Sequence, residues 1–276
     1  MRELTIAFSP DADDAFMFYA LTQGKLDAGD LALRFHPLDI ETLNRKSLEG
    51  AFEVTAASFH AYAYMAGKYA ILNTGGSFGE RYGPILVSRE PFPRDVFKKL
   101  QVAIPGTMTT AFLTLRLLEP DIAFTLTPFD RILDAVEAGE ADAGLVIHEA
   151  QLSYGERGLH KLLDLGEWWH GETGLPLPLG GLFVRRDLGE AVASRVASLV
   201  RASIEYALAH GAEALAHALP YGRGMAGPVA ERYIRMYVNE RSLRYGAEER
   251  AALEGLFARA HEQGILPHPV PVDVIG

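Results

Sequence analysis

The sequence predicts an α/β protein with two similar lobes, each a mixed sheet flanked by helices, and a ligand cleft between the lobes. Three observations predict this class. One pattern occurs twice along the chain, short apolar runs alternate with helical stretches, and 276 residues with 49% hydrophobic content can bury one large or two modest cores.

The repeat begins with a strand, a polar turn and an apolar pair. In the first copy Ile6–Phe8 leads into Ser9–Asp14, and in the second Val102–Ile104 leads into Pro105–Thr110. Ala15-Phe16 and Ala111-Phe112 follow these turns. A recurring pattern of this kind indicates one supersecondary unit present in two copies.

The match continues downstream with a second strand, a helix and a third strand in each copy. The second strand ends at Asp39 or Asp130, and a glycine closes the helix that follows. An acid lies three residues after that glycine, and the next apolar run ends near Ser58 or His148. The paired glycines and acids are Gly50 with Glu53 and Gly139 with Asp142.

Ligands bind outside the carboxyl ends of parallel strands, and small-molecule pockets are common between domains. The repeat therefore predicts that six segments line one cleft. These segments are Ser9–Asp14, Pro37–Asp39, Thr55–Ser58, Pro105–Thr110, Pro128–Asp130 and His148-Glu149.

We predict a larger, discontinuous lobe of residues 1–88 and 186–276, with residues 89–185 inserted as the smaller lobe. The crossings lie near the turn-rich stretches at 90–93 and 175–181. Apolar spacing predicts helices over 192–208, 229–238 and 248–263 that cover the first lobe, with Asp187 as the first N-cap. The glycine-rich stretch 222–228 is predicted to lie outside a helix.

Composition excludes several classes of function. A formal net charge of −10 without a basic run argues against nucleic-acid or anionic-membrane partners. There is no long uncharged apolar stretch, and a strand candidate begins at Leu4, so we expect a cytoplasmic protein without a membrane span. The absence of cysteine excludes disulfides and thiolate chemistry.

The two polar turns predict different chemistry. Thr107, Thr109 and Thr110 surround a predicted helix N-terminus, which favours a carboxylate or phosphate; ordinary N-capping is the alternative. Three carboxylates in the first turn, including Asp11 and Asp14, would repel an anion, so this turn is predicted either to cap its helix or to bind a hydroxylated group. The spacing lacks the glycine and distal glutamate of a calcium loop.

His148 follows a strand apolar enough to be buried on both faces. A neutral imidazole at that strand end can act as a base near neutral pH, although a structural histidine is the alternative. The nucleophile-elbow, zinc-protease, phosphate-loop and dinucleotide motifs are absent. The functions that remain are ligand binding alone and acid/base chemistry on a bound organic anion.

The double crossover and the cleft helix resemble the type 2 periplasmic binding protein fold. A closer resemblance is to the 1,4-dihydroxy-6-naphthoate synthases of the futalosine route to menaquinone. The segments that carry it are Ser9–Phe18, Glu53–Tyr62, Gly75–Gly79, Tyr82–Pro84, Pro105–Ala111 and Leu145–Glu149.

The resemblance implies a carbon–carbon lyase that converts cyclic dehypoxanthine futalosine to 1,4-dihydroxy-6-naphthoate without a metal or organic cofactor, releasing the sugar-derived fragment. His148 matches the histidine expected to accept the first proton. One lobe would hold the aromatic carboxylate and the other lobe the rest of the substrate. The implied binding residues are Thr107, Thr109 and Thr110 on one side, and Thr55, Ala56, Ala57 and Ser58 on the other.

Two other functions stay open on sequence alone. A cytoplasmic module that binds a small carboxylate would use the same cleft without chemistry. The sister chorismate dehydratase of the same pathway shares the fold, and sequence physics does not separate its substrate from that of the synthase.

Overall fold

A computed structural model describes residues 2–276. The strands are β1 (Arg2–Phe8), β2 (Leu31–Pro37), β3 (Val54–Ser58), β4 (Tyr69–Leu72), β5 (Ser77–Gly79), β6 (Ile85–Ser88), β7 (Gln101–Ile104), β8 (Ala123–Leu126), β9 (Ala143–Val146), β10 (His160–Asp164), β11 (Leu177–Arg185) and β12 (Val274–Ile275). The α-helices are α1 (Ala12–Met17), α2 (Tyr19–Thr22), α3 (Ile40–Glu49), α4 (Phe59–Met65), α5 (Thr110–Leu118), α6 (Ile132–Ala138), α7 (Leu165–Thr173), α8 (Glu190–Ala209), α9 (Gly211–Ala218), α10 (Gly227–Tyr237), α11 (Glu240–Leu243) and α12 (Ala247–Glu262). Short 3₁₀ helices cover Arg94–Lys99, Phe129–Arg131, Glu149–Leu152, Tyr154–Arg157, Arg186–Leu188 and Leu219–Tyr221.

The strands form two mixed sheets, as the sequence predicted. The first has the order β12-β4-β11-β3-β1-β2, with β5 paired to β11. The second has the order β10-β6-β9-β7-β8. In each sheet the first strand of the repeat pairs in parallel with the second and the third, while β11 or β6 runs antiparallel beside the third.

The repeat has the same local structure in both copies. Gly50 and Gly139 end α3 and α6 with φ of 79° and 75°, a conformation that costs glycine little. The acid that follows each glycine then accepts from a backbone N–H of the first strand of its own copy. Glu53 Oε2 lies 3.0 Å from the nitrogen of Thr5, and Asp142 Oδ2 lies 2.8 Å from that of Gln101.

The chain leaves the first sheet between Gly79 and Ile85, and it returns between Asp164 and Leu177. β6 belongs to the second sheet, because it pairs with β9 and β10. β11 belongs to the first sheet, because it pairs with β3 and β4. The division into residues 1–88 plus 186–276 and 89–185 stays a prediction.

The carboxyl-terminal helices cover the first sheet. α8, α9 and α10 contact α1, and α12 contacts β11. The expected N-cap at Asp187 is wrong: α8 begins after Gly189, and the Asp187 carboxylate pairs with Arg185 at 2.7 Å. Over residues 2–276, no helix is both long and apolar enough to cross a bilayer.

Candidate functional site

A cavity of about 980 Å³, counted with its open mouth, lies where the two sheets face each other. All six strand-end segments expected from the sequence contribute to its lining. They supply Ser9, Pro10, Asp11, Asp13, Asp14, Asp39, Ala56, Ala57, Ser58, Thr109, Thr110, Phe129 and His148.

The wall from the first copy is the carboxyl end of β3. Ser58 is held by the side chain of Asn44, which donates to its hydroxyl at 3.2 Å and accepts from its backbone N–H at 2.8 Å. Ala56 and Ala57 line the cavity beside it. Thr55 is fully buried behind this wall, because its side chain packs toward α3, where Ser47 contacts its hydroxyl at 3.3 Å.

The turn after β1 brings three carboxyl groups to the cavity. Asp14 accepts from the backbone N–H of Ser9 at 2.7 Å. Asp11 accepts from the Ser9 hydroxyl at 2.9 Å and from Arg223 at 2.5 Å. Asp13 Oδ1 is buried and lacks a hydrogen-bond partner in the part of the chain that the structure describes. Asp11 precedes α1 without capping it among these residues, so the capping alternative does not apply to its side chain.

Burial changes the charge of this turn. It raises the pKa of Asp14 to about 7, even though the Ser9 N–H favours the carboxylate. Burial also raises the pKa of Asp13 well above its ordinary value, with the charges of Asp14 and Asp11 adding to the effect. These shifts favour the protonated forms of Asp13 and Asp14, and Arg223 offsets the charge of Asp11, so the turn repels an anion less than three full charges would.

The wall from the second copy begins at Thr109, which caps α5. Its hydroxyl accepts from the N–H of Phe112 at 3.1 Å and donates to the carbonyl of Gly106 at 2.9 Å. The capping alternative is thus observed at a residue that also lines the cavity.

Thr110 lines the cavity as well, and its hydroxyl is engaged by Leu179 and by the N–H of His60. Because the hydroxyls of Thr109 and Thr110 are already hydrogen-bonded, a ligand at this wall would bind the N-terminus of α5 instead. The first N–H groups of α5, those of Thr110 and Ala111, have no intrahelical acceptor. Their position and the helix dipole favour an anionic group at this end of the cavity.

Thr107 lies outside the cavity lining and connects the lobes. Its hydroxyl accepts from Arg45 of α3 at 2.7 Å, and Arg45 also pairs with Glu41 at 2.9 Å. Gly106 packs directly on this pair, since a Cβ there would stand 2.1 Å from Glu41 Oε2. Thr107 is therefore placed to hold the two lobes together.

His148 is buried in the cavity wall with both ring nitrogens engaged. Nε2 lies 2.9 Å from the carbonyl oxygen of Phe129, which can only accept, so we assign the ring proton to Nε2. Nδ1 then keeps its lone pair, which accepts a long bond of 3.3 Å from the N–H of Ala150. Nδ1 is the nitrogen that can take a further proton.

Glu149 lies against that nitrogen, with Oε2 3.5 Å from Nδ1 of His148. Burial acts to raise the pKa of Glu149, but the charge of Arg223 and, once the His148 ring is protonated, the hydrogen bond and charge of that ring outweigh it and lower the pKa below its ordinary value. Glu149 therefore stays ionised and can stabilise the imidazolium that forms when Nδ1 accepts a proton.

The lining also includes residues outside the six predicted segments, and among them Gln151, Arg223, Tyr233 and Tyr237 carry polar side chains. The Gln151 carbonyl oxygen accepts from Tyr237 at 3.1 Å, while its amide nitrogen is buried with no partner in residues 2–276. Gln151 lies only three residues after His148, so its place in the sequence could have indicated that it lies near the cavity. Arg223 and the tyrosines reach the cavity from the carboxyl-terminal helical region, for which the repeat carries no signal.

A family model described as menaquinone biosynthesis matches residues 4–262. The chain belongs to this family. Its relatives include the 1,4-dihydroxy-6-naphthoate synthase of Thermus thermophilus, 40% identical over 99% of this chain and 100% of the relative. The synthase of Streptomyces coelicolor is 37% identical over 96% of this chain and 95% of the relative. The resemblance stated from the sequence is confirmed.

Solved structures show the same fold. Protein AF1704 from Archaeoglobus fulgidus superposes with a TM-score of 0.92 at 42% identity, covering 95% of this chain and 98% of that one. The alkanesulfonate-binding protein SsuA from Xanthomonas axonopodis has a TM-score of 0.75 at 15% identity, covering 99% and 98%. The likeness to SsuA concerns fold alone and confirms the periplasmic-binding-protein-like architecture.

Proposed function

We propose that this menaquinone biosynthesis protein is a 1,4-dihydroxy-6-naphthoate synthase, a carbon–carbon lyase acting on cyclic dehypoxanthine futalosine. Two synthases match nearly its whole length. The observation that carries the proposal is the state of His148: a buried ring in the cavity wall, with its proton fixed on Nε2 and a carboxylate beside Nδ1. That arrangement supports a general base rather than a ligand contact alone.

The proposed first step is transfer of a substrate proton to Nδ1 of His148. The carbonyl of Phe129 keeps the ring oriented through Nε2, and Glu149 balances the positive charge that develops. Removal of the proton leaves its bonding electron pair on the substrate, and this pair moves to break the carbon–carbon bond as the sugar-derived fragment departs. The electrons of the broken bond remain on one of the two fragments, which then takes up a proton. His148 then holds the proton that a product or water must take up.

The substrate would lie across the cavity with its ends on different lobes. We place the aromatic carboxylate at the N-terminus of α5, beside Thr109 and Thr110. The sugar-derived part would lie against Ser58 and the turn containing Asp11 and Asp14. The side chain of Asp13, whose pKa burial raises well above its ordinary value, and the free amide of Gln151 are suited to its oxygen atoms.

General base catalysis supplies about a hundredfold to ten-thousandfold in rate. The rest of the acceleration must come from orientation of the substrate and exclusion of water when the lobes close. The burial of His148 and the bond between Arg45 and Thr107 support a closed arrangement of the lobes.

The test is incubation of the purified protein with cyclic dehypoxanthine futalosine, and in parallel with chorismate, followed by liquid chromatography and mass spectrometry. The proposal expects dihydroxynaphthoate from the first substrate and no change in the second. Dehydration of chorismate would assign the chain to the sister reaction. Binding of the futalosine derivative without product would indicate a binding module.

A further inference from the structure

Arg223 occupies an unusual place between α9 and α10. It lies in the glycine-rich stretch after the 3₁₀ helix Leu219–Tyr221, with a backbone φ of 47°. A non-glycine residue in this left-handed region costs free energy, and it persists where surrounding contacts over-determine it. The contacts of the Arg223 side chain show what holds the residue there.

The guanidinium of Arg223 contacts three residues of the cavity wall. Nη1 donates to both carboxylate oxygens of Glu149, at 3.1 and 2.9 Å, and Nη2 donates to Asp11 at 2.5 Å. The group also lies over the ring of Phe129, 4.7 Å from its centroid. Phe129 accepts from Nε2 of His148, and Glu149 lies beside Nδ1, which also accepts from the N–H of Ala150.

We propose that Arg223 is a positioning residue for His148, which fixes both partners of the imidazole and joins them to Asp11 of the first lobe. This proposal rests on the proposed function and deepens it. One side chain links the base to the facing lobe, so the working geometry of His148 is complete only when the lobes, and the stretch containing Arg223, are closed around the ligand.

The charge of Arg223 also bears on the basicity of His148. Glu149 favours the imidazolium, and Arg223 partly neutralises Glu149, so loss of the guanidinium makes His148 more basic. The other titratable groups that line this cavity come from the turn after β1 and from α10. They are Asp11, Asp13, Asp14, Tyr233 and Tyr237, and Asp39, which caps α3 after β2, is a further titratable group in the lining.

The first experiment compares Arg223→Met and Arg223→Lys with the wild type in steady-state assays across pH. We expect Arg223→Met to lower kcat about tenfold to a hundredfold with KM changed less than threefold. The acid limb of kcat/KM should move to higher pH by about half a unit or more. Arg223→Lys should restore the acid limb but not all of kcat, because an ammonium cannot pair bidentately or stack as a guanidinium does.

Asp11→Asn is the matched control, because it removes the negative charge that pairs with Arg223 on the first lobe and leaves the pair of Arg223 with Glu149. It should lower kcat less than Arg223→Met and leave the acid limb in place. An effect of Arg223→Met on KM alone would show that Arg223 only contacts the ligand, and unchanged kcat and acid limb would likewise overturn the proposal.

A second measurement does not depend on turnover. Histidine-labelled wild type and Arg223→Met are titrated by NMR, with the His148 signal assigned by its loss in His148→Gln. A higher His148 pKa in Arg223→Met supports the proposal, and equal values contradict it. If the wild type makes no dihydroxynaphthoate, the proposed function fails while this titration still decides the role of Arg223.

Discussion

The third strands of the two copies end at the same cavity but carry different side chains there. β3 ends at Ser58, whose hydroxyl and N–H are held by the amide of Asn44. The chain beyond β9 reaches His148, held by the carbonyl of Phe129 and flanked by Glu149. Ser58 does not titrate in the physiological range, whereas an imidazole does.

This difference shows how a duplicated framework acquires chemistry. The repeat builds two matching walls through its strands, its glycine caps and the half-buried acids Glu53 and Asp142. One wall then presents the fixed hydroxyl of Ser58 beside carboxyl groups whose pKa values burial raises. The other wall presents the N-terminus of α5 and His148 with Glu149 beside it. Binding of one substrate end and reaction at the other can therefore be assigned to different copies.

Replacing the two equivalent residues should separate these roles most strongly. His148→Gln retains a side-chain donor but removes the base, so we expect kcat to fall about a hundredfold to ten-thousandfold. Ser58→Ala should instead raise KM about tenfold and leave kcat within about fivefold, because it removes one hydrogen bond to the ligand. Steady-state kinetics measure kcat and KM for both variants. An equal loss of kcat in His148→Gln and Ser58→Ala would contradict the assignment of different roles to the two residues.

Asp14 and its counterpart Thr110 should differ in the pH dependence of stability. The folded-state pKa of Asp14, about 7, lies above its ordinary 3.8, so its contribution is full at low pH and is lost as pH rises from about 4 to 7. The unfolding free energy of Asp14→Asn relative to the wild type should therefore be higher at pH 8 than at pH 4 by about 4 kcal/mol.

Thr110→Val is the control for this comparison, because threonine does not titrate. Its effect on urea-induced unfolding should be the same at both pH values. An Asp14→Asn effect that is equally independent of pH would show that Asp14 is ionised in the folded protein throughout this range.

The helix start of the second copy should respond to substitution in stability more than in ligand binding. Thr109 caps α5 through its hydroxyl, so Thr109→Val should cost about 1 kcal/mol of stability, while Thr109→Ser keeps the cap and should cost less. Because the N–H groups rather than this hydroxyl face the ligand, KM for Thr109→Ser should stay near the wild-type value. A large rise in KM for Thr109→Ser would contradict this assignment.

The smallest effect is expected at the contact between the lobes. Arg45→Met removes an exposed bond to Thr107, so it should change stability by less than about 1 kcal/mol and raise KM twofold to threefold through weaker closure. Arg34→Met removes an exposed pair with Glu3 within the first lobe and should leave KM unchanged. Equal KM values for Arg45→Met and Arg34→Met would contradict a role of Arg45 in closing the lobes.

Sequence reasoning reached the parts of the site that the repeat determines. The strand ends, the glycine caps and the position of His148 follow from local patterns that the two copies share. Thr55 and Thr107 lie outside the cavity because the direction of each side chain depends on its neighbours, Ser47 and Arg45. Arg223 and Gln151 were missed because tertiary packing, and not periodicity, brings a loop and a short 3₁₀ helix to the cavity.

The central claim is that His148 starts a cleavage of cyclic dehypoxanthine futalosine in this cavity. The most direct measurement is a single-turnover reaction of excess enzyme with that substrate, quenched over time and analysed by mass spectrometry for wild type and His148→Gln. We predict full conversion to 1,4-dihydroxy-6-naphthoate by the wild type, and substrate that is bound but unchanged in the variant. Conversion by His148→Gln at a rate near that of the wild type would contradict the claim.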